Sequence, residues 1–210
     1  MLTSMMVYYS PEELEFWLVD PKMVELTVFE ESIFTKHSVT DAEEVEYMLK
    51  DAVEEMNRRY KMFKSNRVQN IAAYNKKVED NEKLKRIVIV IDEYGVLMES
   101  GKEFVREFET ALKKLSQLAR AAGIHLIICT QSPKADIITT TIRNNLPARI
   151  GLKVADSTAS GLILDGSGCE NSSAPLPVYN TADIGVMLYS AACAVTGTAN
   201  RHPIPRASAV

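Results

Sequence analysis

Apolar residues along this chain fall into two kinds of pattern. Five consecutive β-branched positions, Ile87-Val88-Ile89-Val90-Ile91, have no polar alternation. Such a run predicts a strand buried on both faces, as in a parallel sheet covered by helices. Ile124 to Thr130 is a second apolar run that ends in polar side chains, and Glu15-Phe16-Trp17-Leu18-Val19 is a shorter strand stopping at Asp20-Pro21-Lys22. Ala148 to Val154 reads as a further strand and Val186-Met187-Leu188-Tyr189 as a last one.

Helical spacing fills the intervals. Thr40 is placed to be an N-cap, with Glu43 completing a capping box. Val45, Met48, Leu49, Ala52, Val53, Met56, Tyr60 and Phe63 then follow as one apolar face. The basic residues from Lys61 to Arg67 read as the solvated end of that helix. Val68 to Glu82 is a charged helical stretch suited to the surface. Phe104, Phe108, Ala111, Leu112, Leu115, Leu118, Ala119 and Ala122 make a second apolar stripe, and Gly123 is placed to end it as a C′ residue. A right-handed crossover through that helix lays the strand at 124 parallel to the strand at 86, with both carboxyl ends at one edge. The chain therefore predicts an α/β sheet. Beyond it, Ala155 to Leu164 suits a short helix and Asn171 to Asn180 a loop. From Ala191 the chain is small and weakly patterned, and poor order is expected.

Candidate chemistry gathers where the strands end. Asp92-Glu93 closes the first long run, at the edge where ligands bind in open α/β sheets. An apolar strand ending in Asp-Glu matches the Walker B layout, in which the Asp holds Mg²⁺ through water and the Glu orients or deprotonates the attacking water. A buried strand running out into a polar turn yields the same residues, and the motif alone leaves both readings open. Gln131 closes the second run. Alone it suits a turn, but beside Asp92-Glu93 it reads as a sensor for a γ-phosphate or the attacking water. No segment fits the phosphate-cradling loop G-x-x-x-x-G-K-[ST]. The Gly166-Ser167-Gly168 cluster has no accompanying Lys and reads as a turn.

Composition narrows this picture only slightly. A chain of 210 residues suits one medium domain, and a formal charge of −4 argues against general attraction to nucleic acid or anionic membrane. Cys129, Cys169 and Cys193 are far apart and odd in number, as expected in a reducing compartment. They share no metal-ligand spacing with the histidines. Met1 to Ser10 lacks a basic n-region, and no apolar run approaches a membrane span, so a soluble chain is expected.

Several segments occur in a telling order: Asp20-Pro21-Lys22-Met23-Val24-Glu25-Leu26, Glu55-Met56-Asn57-Arg58-Arg59-Tyr60, Tyr74-Asn75, Asp92-Glu93-Tyr94, Ala119 to Leu126, Thr130-Gln131-Ser132-Pro133 and Asn145 to Ile150. Over roughly residues 10–170 the chain resembles the motor domain of the FtsK/SpoIIIE family of DNA translocases. Residues 171–210 diverge, although Gly185 to Tyr189 is similar to a worn Gly-Asp-Met-Leu-Tyr segment of that family. The resemblance implies a RecA-like P-loop NTPase core, a mostly parallel sheet flanked by helices. It also implies ATP and Mg²⁺ as cofactors, a hexameric ring around double-stranded DNA, and a cytoplasmic motor whose relatives are tethered to the inner membrane by an amino-terminal anchor.

The same resemblance places a Walker A loop shortly before the Asp-Pro-Lys strand, with its helix running into Leu2 to Tyr9. The chain is thus expected to be a partial motor domain lacking its first strand and phosphate loop, and inactive alone. The missing strand is expected to leave a neighbouring central strand unpaired, making the chain marginally stable or self-associating. Carried over by position, Asp92 and Glu93 are the Walker B pair, with Asp92 toward the metal, Gln131 is the sensor and Arg120 resembles a trans-acting arginine finger. Arg143 keeps a DNA-facing basic residue. Ser132, Ser157 and Gly161 stand where the family has basic residues, and Val96 replaces a usual Asp. Two alternatives remain at this stage: a secretion or conjugation ATPase of the same superfamily, and a non-enzymatic fragment that docks on a motor ring.

Overall fold

The structure, a computed structural model, describes residues 1–131, 134, 137, 139–146, 148–154, 156–164, 166, 169–171, 176–178 and 185–189. Its strands are β1 (Leu14–Val19), β2 (Thr35–Val39), β3 (Arg86–Ile91), β4 (Ile124–Thr130), β5 (Ala148–Gly151), β6 (Leu176–Val178) and β7 (Gly185–Tyr189). They form one sheet in the order β2-β1-β3-β4-β7-β5-β6. Neighbours run parallel except β5 and β6, which are antiparallel. β3 lies between β1 and β4 with its β-branched run buried on both faces, as the unbroken apolar pattern requires.

Two helices cover one face. α2 (Ala42–Asn66) and α5 (Lys102–Leu118) pack Met48, Leu49, Ala52, Met56, Phe108, Leu112 and Leu115 onto Trp17, Val19, Ile89, Ile91, Leu126 and Ile128. Each fully buried large apolar side chain contributes about 1.5–3 kcal/mol. The opposite face buries Phe16, Leu18, Val88, Val90 and Ile127 beneath Leu2 of α1 (Leu2–Tyr8) and Leu26 and Phe34 of the β1–β2 connection. Shorter helices are α3 (Ile71–Asn75), α4 (Tyr94–Leu97), α6 (Thr140–Asn145) and α7 (Ser157–Leu164). Among the described residues, no helix is long and apolar enough to cross a membrane.

Several expectations need correction. The N-cap of α2 is Asp41, not Thr40, because the Asp41 carboxylate accepts from the Glu44 N–H at 2.9 Å. The stretch 68–82 breaks into α3 and one 3₁₀ turn, since Asn70 caps α3 and Asn75 bonds both main-chain groups of Leu84. β2 escapes the apolar pattern because Thr-Lys-His-Ser-Val is an edge strand with no fully buried residue. β5 stops at Gly151, short of the expected Val154. β6 lies inside the expected loop 171–180, of which 172–175, 179 and 180 fall outside the described residues, as does everything from Ala191. Among the described residues no central strand is left unpaired: β7 hydrogen-bonds to both β4 and β5, and the sheet ends on β2 and β6.

Gly123 matters for position. Its φ is +74°, and a Cβ there would lie 2.5 Å from Ile71 Cδ1. That close approach, together with the Ile71 N–H bond to Ala121 O, locks α3 against the start of β4.

Candidate active site at the carboxyl edge of the sheet

β1, β3 and β4 run in register, so Val19, Ile91 and Ile128 stand side by side and the residues that follow them meet at one edge. Asp20, Asp92, Glu93 and Gln131 are therefore brought together by the sheet alone. The Asp92 N–H donates to Val19 O at 2.8 Å, which continues the β1–β3 ladder past the last strand residue. The chain then turns sharply: Glu93 has a left-handed backbone, φ 51°, and only 4% of it is exposed. A non-glycine residue at positive φ carries a cost of order 1 kcal/mol, borne only where the surroundings fix it.

What fixes Glu93 is a set of three donors, two at the end of β4 and one in the loop after β1. Thr130 Oγ1 donates to Glu93 Oε1 at 2.8 Å, the Gln131 N–H is 3.2 Å from both oxygens, and Lys22 Nζ donates to Oε2 at 3.1 Å. Gly95 leaves room for this arrangement, since a Cβ there would sit 3.2 Å from Glu93 Oε1. Lys22 is aimed by its own loop. The buried Asp20 carboxylate accepts from the N–H groups of Lys22 (3.2 Å), Val24 (3.0 Å) and Leu26 (2.9 Å). Met23, between them, takes φ 54°.

Asp92 is half-buried, and its Oδ2 is buried with no hydrogen-bond partner. Burial, and then repulsion by Asp20, Glu25 and Glu93, push its carboxyl up to about 6, while Lys22 opposes the rise. An acid whose folded pKa is raised is favoured protonated, so folding stability falls as pH climbs from about 4 to about 6 and stays lower above it. Substituting Asp92→Asn removes that loss. We expect no gain at pH 4 and a gain of about 1 kcal/mol at pH 7.5, a value reduced for the screening of a half-exposed side chain. Urea unfolding at the two pH values checks it, and an equal effect at both contradicts it.

The other candidate residues lie apart. The Gln131 side chain is exposed beside Glu93, and it is the main-chain N–H that touches the carboxylate. Arg120 is exposed after the end of α5, at the amino edge of β4, in a cleft of about 500 Å³ that also includes Arg86 and His125. One seven-residue strand, about 23 Å long, separates it from Gln131. Burial and the nearby Arg86 and Arg120 charges lower the His125 pKa. Arg143 sits half-buried on α6, and its carbonyl accepts from Arg149 Nη2 at 3.3 Å. Ser157 and Gly161 lie on α7, whereas Ser132 is outside the described residues. Sequence reasoning assigned no role to Lys22, Asp20 or Thr130, although the Asp-Pro-Lys closing β1 is the signal that marks two of them.

The FtsK/SpoIIIE family model matches residues 1–135. The chain is 40% identical over 179 residues to the DNA translocase FtsK of Leptospira interrogans, covering 81% of this chain and 18% of that protein. It is 40% identical over 178 residues to the DNA translocase SpoIIIE of Bacillus subtilis, covering 80% of this chain and 22% of that one. The chain thus spans about a fifth of the length of these relatives. Among solved structures, the pCW3 conjugation coupling protein TcpA, in its monomer form with ATPγS, aligns with a TM-score of 0.69 at 34% identity, over 76% of this chain and 46% of that one.

Proposed function

Because this chain belongs to the FtsK/SpoIIIE family, we propose that it supplies the hydrolytic half of an ATP-driven motor that translocates double-stranded DNA. The observation that carries this reading is Glu93, a buried carboxylate held at the carboxyl edge of the sheet beside Asp92 by three donors. Glu93 is positioned to orient or deprotonate a water, with Gln131 next to it as the sensor. Residues 10–170 form the motor unit and 171–210 a divergent segment. Arg120, at the opposite edge, completes the site of an adjacent subunit in a hexameric ring on the cytoplasmic side of the membrane.

The site fits a divalent cation through Asp92, a half-buried carboxylate whose Oδ2 has no hydrogen-bond partner. Among the described residues no group of three His, Cys, Asp or Glu is placed to hold a metal alone, so water and phosphate oxygens would complete its shell. When bound, Mg²⁺ would neutralise charge developing on the transferred phosphoryl group. Asp92 would hold it, and Glu93 would handle the proton.

A phosphate-cradling loop is absent from this sequence, and without its amides and Lys nothing anchors the triphosphate. The chain as it stands is therefore expected to show no Mg-ATP turnover in a coupled assay. Turnover that Glu93→Gln abolishes would overturn this.

A second reading, a conjugation or secretion pump, draws on the likeness to TcpA, described as a conjugation coupling protein. DNA binding separates the two. A side chain at Gly161 meets open space, so Gly161→Arg adds a cation without a clash. On the translocase reading it raises affinity for duplex DNA and steepens the slope of log K against log salt by about one. An unchanged slope favours a protein substrate.

A further inference from the structure

The two oxygens of Glu93 are not equivalent. Oε1 faces the interior: Thr130 Oγ1 donates to it at 2.8 Å, both residues are buried, and the missing side chain of Gly95 is the space it occupies. Oε2 shares the Gln131 N–H at 3.2 Å and otherwise meets the Lys22 ammonium at 3.1 Å. The Lys22 side chain is 39% exposed, against 5% for Glu93. Of the two side chains donating to Glu93, Thr130 is buried and Lys22 is the one open to solvent.

Resting on the nucleotide-site reading above, we infer that Oε2 is the working oxygen of Glu93 and that Lys22 is its positioning residue, occupying that oxygen until an incoming phosphoryl group draws the ammonium away. The loop is built for this. Its backbone is held by three N–H bonds to Asp20, so the base of Lys22 stays still while the long stem swings. The left-handed turn at Met23 sends the Met23 side chain outward, 65% exposed, and leaves Lys22 directed at Glu93. Asp20, Glu25 and Asp92 surround the same edge, and among the groups acting on Asp92 the Lys22 charge opposes their repulsion. A polyphosphate offers the ammonium more negative charge than one carboxylate, and the exchange frees Oε2 to accept a proton from water.

The test uses the isolated chain and needs no nucleotide, so it can fail independently of the ATPase reading. In ¹⁵N-labelled protein, the Lys22 ammonium should exchange with water more slowly than those of exposed Lys61 and Lys102, and this slow signal should be lost in Glu93→Gln. Lys22→Met should shift the Gln131 amide and leave the Val24 and Leu26 amides, which Asp20 holds, in place. Lys22→Arg should restore the Gln131 shift. A Lys22 ammonium exchanging like the others overturns the proposal. So does a Lys22→Met variant in which Val24 and Leu26 move as far as Gln131, for Lys22 would then only tether the loop. Should Glu93→Gln fail to fold, the Lys22 pair of variants decides alone.

Discussion

In a motor ring that carries this segment, Glu93→Gln should lower ATP turnover by at least ~10²-fold and Arg120→Ala by ~10³-fold or more, with nucleotide binding nearly unchanged. The first effect follows from removing the base while keeping its shape, since glutamine still accepts from Thr130 but cannot take a proton. The second follows from the sheet. Glu93 and Gln131 stand at the carboxyl edge, whereas Arg120 stands at the amino edge, one seven-residue strand away. No side chain spans about 23 Å, so on the proposed arginine-finger reading Arg120 would have to serve a site on another subunit. Mixing the two variants is therefore informative. A site that takes Glu93 from an Arg120→Ala subunit and Arg120 from a Glu93→Gln subunit is complete, so mixed rings should recover turnover that neither variant has alone. Failure to recover any, with rings shown to mix, removes the arginine-finger assignment and leaves that of Glu93 standing.

Loss of Arg59 should cost about 3–4 kcal/mol of folding stability. Arg59 is 3% exposed in the middle of α2. Its Nε donates to Glu55 Oε1 at 2.7 Å, and Nη1 donates to Lys85 O and Ala122 O, each at 2.8 Å. Those carbonyls precede β3 and β4, so one guanidinium pins the long helix to the amino ends of both central strands. Burial lowers the Arg59 pKa, and the Glu55 contact opposes that loss of charge. Arg59→Met retains much of the volume but strands two carbonyls and a carboxylate that Arg58 then holds alone. Urea denaturation measures the difference. A cost below about 1 kcal/mol would mean that water replaces the guanidinium at those carbonyls.

The parallel sheet was legible because burial on two faces leaves no polar position in Ile87 to Ile91 and few in Ile124 to Thr130, and such runs have few alternatives. Asp92, Glu93 and Gln131 were legible as candidates because they end those runs. Elements that depend on partners were not legible. β2 reads as polar because it is an edge, and α3 stops where Asn75 finds Leu84 rather than where a helical pattern fades. Nothing in the residue pattern marks Arg59 as buried; only the approach of two strand ends turns it into a buried staple.

The same division runs through the site. The order of residues along the chain determined which carboxylates reach the sheet edge, since strand polarity and right-handed crossover follow from local sterics and loop length. It did not determine how Glu93 is held. Lys22 lies 71 residues away in the chain and Thr130 lies 37 away, and their contacts exist only because β1, β3 and β4 align in register. Hydrogen bonds act over about 3 Å, a scale that residue spacing cannot specify across separate strands. The chain order therefore set which groups are present at that edge, and the packed sheet decided which of them touch.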